Sequence, residues 1–375
     1  MNKILYVRSG PYQVDPNSYN LQELGLASAF HKYGYQCDVM YYHKEKDFDQ
    51  VIETNGTKIN VLWRHGIRLL RSGVYPQILK KDVLDRYDFV ICSEYSQIMS
   101  VLLCKKVRTY IYNGPYYNLF KIPFIEPIYD ALFCKYINRK AEKIFCKTEM
   151  ASNYIAKKGI TNTTVTGVAL DIEKFEKEIV IKPATKDILD KMAGHRNFLY
   201  IGSIIKRKNI ELLVNAFVEL KKYENTDDVQ LVLIGKGDKS YTEYCSSLVP
   251  ENLRKDIVWC SFIENAQTKF IYQAATAFLL PSIQEIFGMV LLEAMYFYIP
   301  VISSHSAGAG TLIKSGENGI IVEEFDKIKW AKAMWTLING SGNSAALGKL
   351  AGETIRSEFM WDGIAKKMLK EIEHE

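Results

Sequence analysis

Several things are scarce in this chain, and each scarcity removes a class of protein. Its seven cysteines, at 37, 92, 104, 134, 146, 245 and 260, are odd in number, include no C-x-x-C pair and sit mostly in apolar runs. A disulfide framework and a structural zinc site are excluded on that pattern, and reduced thiols in a cytosolic protein are expected. No apolar run is long enough to cross a bilayer, because Lys, Arg or Glu interrupts the longest ones. The opening MNKILYVRSGPY has too short an apolar run for a secretory signal and reads as a first strand. Neither sign of charge dominates: 48 basic against 43 acidic residues leave a net charge of +5, which argues against a dedicated nucleic-acid binder. Short repeats and low-complexity tracts are missing as well. Of the six histidines only His65 and His305 fall in loops of interest, and neither has catalytic surroundings.

What is present is a soluble, globular composition, 48% apolar and 24% charged, over 375 residues. That length calls for two domains. Continuous apolar runs, KILYVR (3–8), CDVMYY (37–42), INVLW (59–63), FVIC (89–92), TYIY (109–112) and IFCK (144–147), alternate with segments long enough for crossover helices, such as YNLQELGLASAFHKYG (19–34). Strands buried on both faces and joined by helices make a doubly wound parallel sheet. The alternation stops over 171–196, a charge-dense stretch containing Pro183. It resumes with NFLYIG (197–202), LVLIG (231–235), IVWC (257–260), AFLLP (277–281), PVISS (300–304) and GIIV (319–322). The reading is an α/β domain over 1–170, a linker over 171–196, a second α/β domain over 197–358, and a closing amphipathic helix over 359–375 that ends the second domain or reaches back to the first.

The most informative stretch is PSIQEIFGMVLLEAMYFYIPVISS (281–304). A helix starting near Phe287 or Gly288 would present its first amides and positive dipole end to an anion, beyond the carboxyl end of a strand where open α/β sheets bind ligands. Glu285 lies just ahead of that helix and Glu293 inside it, eight positions on. Eight helical residues rise roughly 12 Å, too far for two carboxylates to share a metal or act as a close acid–base pair. They suit opposite ends of an elongated ligand with a diphosphate in its middle. Against this stands a purely structural pair, with Glu293 in a buried ion pair and Glu285 a first-turn charge.

The stretch resembles the E-x7-E signature of the retaining glycosyltransferases of family 4. The resemblance extends along most of the chain through FLYIGSIIKRKNIELLVNAF, LVLIGKGD, AEKIFCKTEMASNYIAKKGI, TVTGVALDIEKF and LIKSGENGIIV. It implies a GT-B fold, α/β with two facing Rossmann-like domains built on parallel sheets. It also implies a nucleotide-diphosphate sugar as donor substrate and no other cofactor. By the same resemblance Glu285 holds the sugar's hydroxyls, the amides of Phe287, Gly288, Met289 and Val290 meet sugar and diphosphate, and Glu293 binds the ribose. Lys208 neutralises the diphosphate. Relatives often carry an arginine at the position of Ser203, so Arg207 or Lys206 would supply the second cation, with Arg207 favoured for its fork geometry. Ser261 and Phe262 would border the base. The first domain would bring Gly10 to the donor phosphate and Asn113, where relatives often place a histidine, to the sugar as a second catalytic residue; a simple Asn-Gly turn is the competing reading of Asn113.

No D-x-D pair follows a strand, which fits metal-independent transfer to a glycan or lipid-linked glycan in cell-surface polysaccharide synthesis, with the leaving diphosphate helping to deprotonate the acceptor. WRHGIRLLRSGVYPQILKK (63–81) and YNLFKIPFIEPIYDALFCKYINRKAEK (117–143) mix basic with apolar residues, as a peripheral contact with an anionic membrane surface would need. Ordinary helices with solvated lysines are the other reading. Two further functions share the architecture, a nucleotide-sugar epimerase or hydrolase and a non-catalytic nucleotide-sugar-binding subunit.

Overall fold

The apolar runs assemble into two sheets, each with a helix-flanked parallel core. The structure, a computed structural model, describes residues 2–16, 20–340 and 343–373, and of Lys174 the backbone only. Tyr19, at the start of the first expected helix, and His374 and Glu375, at the end of the last, lie outside them. Two units form, Met1–Asp171 with Phe359–Glu375, and Ile172–Glu358.

In the first unit the strands are β1 (Asn2–Val7), β2 (Tyr35–His43), β3 (Phe48–Thr54), β4 (Thr57–His65), a small hairpin of β5 (Ile67–Leu69) and β6 (Ser72–Val74), then β7 (Phe89–Ser93), β8 (Thr109–Asn113), β9 (Ile144–Cys146) and β10 (Thr163–Val165). The main sheet runs β10-β9-β8-β7-β1-β2-β4-β3. Its central strands are buried over most of their length, with Leu5, Val7, Val90, Cys92 and Ile111 among the side chains of one core. The sheet is not wholly parallel: β3 pairs antiparallel with β4. Its FDQVIET sequence is mostly exposed, as an edge strand can be. The turn before β4 is Asn55-Gly56, both at positive φ (49° and 69°), the two-residue geometry that matches the twist of a hairpin.

The closing helix, Trp361–Glu373, belongs to this first unit. A Cβ on Gly25 would lie 2.3 Å from the Trp361 indole nitrogen, so the glycine is the seat of that ring. Lys32–Asp362 (2.8 Å), Lys143–Glu371 (2.9 Å) and Tyr35–Glu373 (3.0 Å) fasten the helix along its length.

In the second unit β11 (Arg196–Ile201), β12 (Val229–Ile234), β13 (Ile257–Cys260), β14 (Ala277–Leu280), β15 (Val301–Ser304) and β16 (Ile320–Val322) are ordered β13-β12-β11-β14-β15-β16, all parallel. This is the dinucleotide-fold order, with its reversal between β11 and β14. The stretch expected to be a linker is corrected here. From Ile172 onward it is part of the second unit and includes the helix Pro183–Met192, which buries Thr185, Ile188 and Met192 on one face. Pro183 opens that helix, where a missing N–H costs nothing. Gln267 then ties the segment down, accepting from the Lys182 amide (3.0 Å) and donating to the Val180 carbonyl (2.9 Å).

Candidate functional site

The strand order of the second unit decides which loops meet. Because β11 and β14 are neighbours, the segments leaving their carboxyl ends emerge side by side. The first continues into a single 3-10 turn, Lys206–Lys208, which Asn209 ends in the left-handed region (φ 53°). The second is 281–288. The Ile283 amide donates to the Arg207 carbonyl (2.9 Å), and the Arg207 guanidinium donates to the Gln284 carbonyl. This zipping sets the Lys208 ammonium against the Glu285 carboxylate in a hydrogen-bonded ion pair, both groups largely shielded from water (12% and 15% exposed). Arg207 approaches the same carboxylate at 3.6 Å and is more open. Lys206 instead borders a separate cavity with Asn209 and Asp238. The cation beside Glu285 in addition to Lys208 is therefore Arg207. Burial, and then the charge of Glu285, lift the Tyr200 phenol above its usual range, and its hydroxyl donates to the Ser203 carbonyl (2.9 Å).

Two glycines shape the loop that carries Glu285. Gly288 caps the helix Met289–Tyr296 at φ 80°, a left-handed conformation, and a Cβ there would press on Leu280 (3.2 Å) and on Glu285 Cγ (3.3 Å). Gly308 allows the next helix, Ala307–Leu312, to touch this loop's backbone. A Cβ on it would stand 1.5 Å from the Phe287 carbonyl oxygen. The helix starts at Met289, so only the second half of the Glu285–Glu293 interval is helical. Phe287 is buried, while Met289 and Val290 in the first turn are partly open.

Glu293 is 5% exposed. Its carboxylate accepts from the Tyr272 hydroxyl at 2.8 Å. Burial and the Glu293 charge push the Tyr272 phenol well above its ordinary value, so it stays a donor across the working pH range. Tyr272 is itself held by stacking on Phe297 (5.5 Å, 15°). No sequence pattern pointed to Tyr272.

Ser261 and Phe262 follow β13 and are both exposed, with the Lys236 ammonium 4.6 Å from the Phe262 ring centre. The GKG stretch (235–237) follows β12. It is a point of close approach: a Cβ on Gly235 would meet the Gly202 carbonyl oxygen at 1.7 Å, and one on Gly237 the Ile204 carbonyl oxygen at 2.0 Å. The loops after β11 and β12 thus lie backbone to backbone.

Gly10 and Asn113 belong to the first unit. Gly10 borders a cavity of about 850 Å³, and the Tyr12 ring lies over it, 2.6 Å from where a Cβ would sit. Asn113 is the last residue of β8. It is fully buried; its amide oxygen accepts from the Tyr95 N–H (3.3 Å) and its amide nitrogen donates to the Pro115 carbonyl (3.4 Å). The two bonds tie the end of β8 to the segment after β7 and to Pro115. His65 contacts the Lys44 carbonyl (2.8 Å) and His305 the Glu323 carboxylate (3.0 Å), both on the surface. Among the described residues no three His, Cys, Asp or Glu side chains gather as metal ligands would.

Residues 182–353 match the family Glycosyl transferases group 1. An uncharacterized glycosyltransferase of Methanocaldococcus jannaschii is 31% identical over 173 residues, 45% of this chain and 42% of that protein. The chain spans about half the length of the curated relatives it matches. Among solved structures, sucrose-phosphate synthase from Thermosynechococcus elongatus aligns over 100% of this chain and 99% of its own at a TM-score of 0.70 and 18% identity. Anabaena HepE in complex with UDP aligns over 100% of both chains at a TM-score of 0.73 and 15% identity. The fold is accordingly GT-B, with two α/β domains.

Proposed function

We propose that this chain, whose residues 182–353 match the glycosyl transferases group 1 family, is a retaining, metal-independent hexosyltransferase. It moves a hexose or N-acetylhexosamine from a nucleotide-diphosphate sugar to a glycan or lipid-linked glycan in surface-polysaccharide synthesis. The observation that carries this reading is the convergence of Lys208, Arg207 and Glu285 at the strand-order reversal, beside the helix that Gly288 opens. Lys208 and Arg207 take the diphosphate, and with the first-turn amides up to Val290 they stabilise the charge that grows on it as the sugar leaves. Glu285 accepts from the sugar's hydroxyls. Glu293, oriented by Tyr272, accepts from the ribose. Ser261 and Phe262 border the base. The structure of HepE in complex with UDP supports a nucleotide of this kind.

No helix among the described residues is long and apolar enough to cross a membrane. The first unit does expose Ile67, Leu69, Leu70, Ile122, Phe124 and Leu132, next to Arg68 and Lys121. Leu70 and Ile122 border one cavity, so part of this apolar surface is continuous. It suits peripheral contact with an anionic bilayer.

Thermal-shift screening with UDP-, GDP- and ADP-sugars, followed by transfer assays on the stabilising donor, tests the proposal. Anomer-retaining transfer to an added acceptor supports it. Epimerised sugar, or binding with no turnover for any acceptor, would replace it with one of the two competing functions.

A further inference from the structure

The 850 Å³ cavity of the first unit has a charge pattern that the donor chemistry does not use. It opens at the carboxyl ends of β1, β7 and β9, where the order of this sheet reverses between β1 and β7. Four cations, Arg8, Arg71, Lys147 and the exposed Lys121, and two carboxylates, Glu23 and Glu94, line it. Arg8 faces Glu23 at 3.4 Å, and Tyr41 also donates to Glu23 (3.3 Å). Arg71 donates to Glu94 (2.9 Å) and to Ser96 (2.8 Å), while Gln97 adds a second bond to Glu94 (3.1 Å). Both carboxylates are thereby committed.

Lys147 is different. It follows β9 directly, and its ammonium stands 4.7 Å from the centre of the Tyr112 ring, with no ion pair among the described residues. Gly114 makes room for it: a Cβ there would lie 2.9 Å from Lys147 Cδ. Burial pulls its pKa below the ordinary lysine range although Glu23 and Glu94 pull the other way. A fixed ammonium in a cavity, lacking a counter-ion, is a place where a ligand supplies the charge.

We infer that this cavity seats an acceptor sugar bearing an oxyanion, a carboxylate or a phosphate ester, on Lys147, with the Arg8–Glu23 and Arg71–Glu94 pairs as its polar walls. Lys147, the shielded cation of the lining with no ion pair among the described residues, fits one anionic group. Neutral sugars can still enter and meet the same hydrogen-bonding walls, but they leave the ammonium unpaired. The inference rests on the transferase reading for the word acceptor; the binding preference itself does not depend on turnover.

Calorimetry on the full chain, without donor, uses glucuronate, glucose 6-phosphate and glucose as probes. One anionic sugar is expected to bind at least about 10-fold tighter than glucose, the step of a charge-assisted contact. Preference for glucuronate assigns a carboxylate; preference for glucose 6-phosphate assigns a phosphate. Lys147→Met and Lys147→Gln should both erase the preference while UDP binding stays at the wild-type value. The inference is overturned if glucose binds as well as both anionic sugars, if either folded variant keeps the preference, or if the variants weaken UDP, which would give the ammonium to the donor. Absence of transfer with the preference intact would count against the transferase reading alone.

Discussion

Gly308→Ala is the sharpest structural perturbation of the site, because it adds one methyl group and changes no charged or hydrogen-bonding group. The new Cβ would stand 1.5 Å from the Phe287 carbonyl oxygen and 2.3 Å from its carbonyl carbon, whereas real Cβ contacts stay above 3.0 Å. Both partners are backbone, so no side chain can swing away. Either the helix Ala307–Leu312 or the 285–288 loop must move by about 1.5 Å, and a displacement of about 1 Å at a reacting centre is enough for a loss of order 100-fold. Gly310→Ala is the matched control. It lies in the same helix, gains the same helix propensity of about 1 kcal/mol, and meets only the His305 ring (3.2 Å), which can rotate. The assay is kcat/KM for transfer, with melting temperature and circular dichroism as checks of fold. Gly308→Ala should stay folded and lose at least about 100-fold, while Gly310→Ala stays within a few-fold of wild type. Wild-type transfer by Gly308→Ala, or an equal loss in Gly310→Ala, would refute the reasoning.

Three further outcomes are expected. Glu285→Gln should lower transfer by about 100- to 1,000-fold, the scale for a preorganised polar group at a reacting centre, yet leave nucleoside diphosphate binding equal or stronger because Lys208 loses its resident counter-charge. Tyr272→Phe removes a hydrogen bond to a buried carboxylate worth about 2 kcal/mol; differential scanning calorimetry should show the second unit melting roughly 4–8 °C lower, with weaker UDP binding. For Lys147 the folded chain holds its proton less tightly than the unfolded chain, so unfolding takes up a proton at pH values between the lowered folded pKa and the ordinary lysine value, and stability rises with pH across that window. Lys147→Met should therefore melt above wild type at neutral pH, and the gap should close as the pH becomes alkaline; a gap independent of pH would contradict the assignment.

The buried strands were legible because a strand covered on both faces must be apolar at every position, and all twelve runs picked out in the sequence are strands. The edge strand β3 was missed for the converse reason: FDQVIET is solvated and carries no such run, although the Asn55-Gly56 turn beside it signalled a hairpin. The segment over 171–196 looked like a linker by charge density, yet Ile188 and Met192 at helical spacing anchor it. At the site, Glu285, Gly288 and Glu293 stood out because a carboxylate inside an apolar helix and a glycine at its start break local rules. Tyr272 and Gly308 break none; their roles exist only once distant segments are brought together. The same holds for the Lys147 cavity, assembled from widely separated stretches. Asn113, placed beside the sugar by resemblance, has both ends of its amide bonded within the first unit.

The central claim is that one switch-point cluster divides the donor between Lys208 and Glu285. Calorimetric titration with UDP and UDP-glucose, repeated with the GDP-mannose and ADP-glucose pairs, tests it most directly on wild type, Lys208→Met and Glu285→Gln. The account predicts that Lys208→Met weakens the nucleotide and its sugar together, while Glu285→Gln removes only the extra affinity contributed by the sugar. Wild-type affinities in both variants, for the pair that binds best, would contradict it.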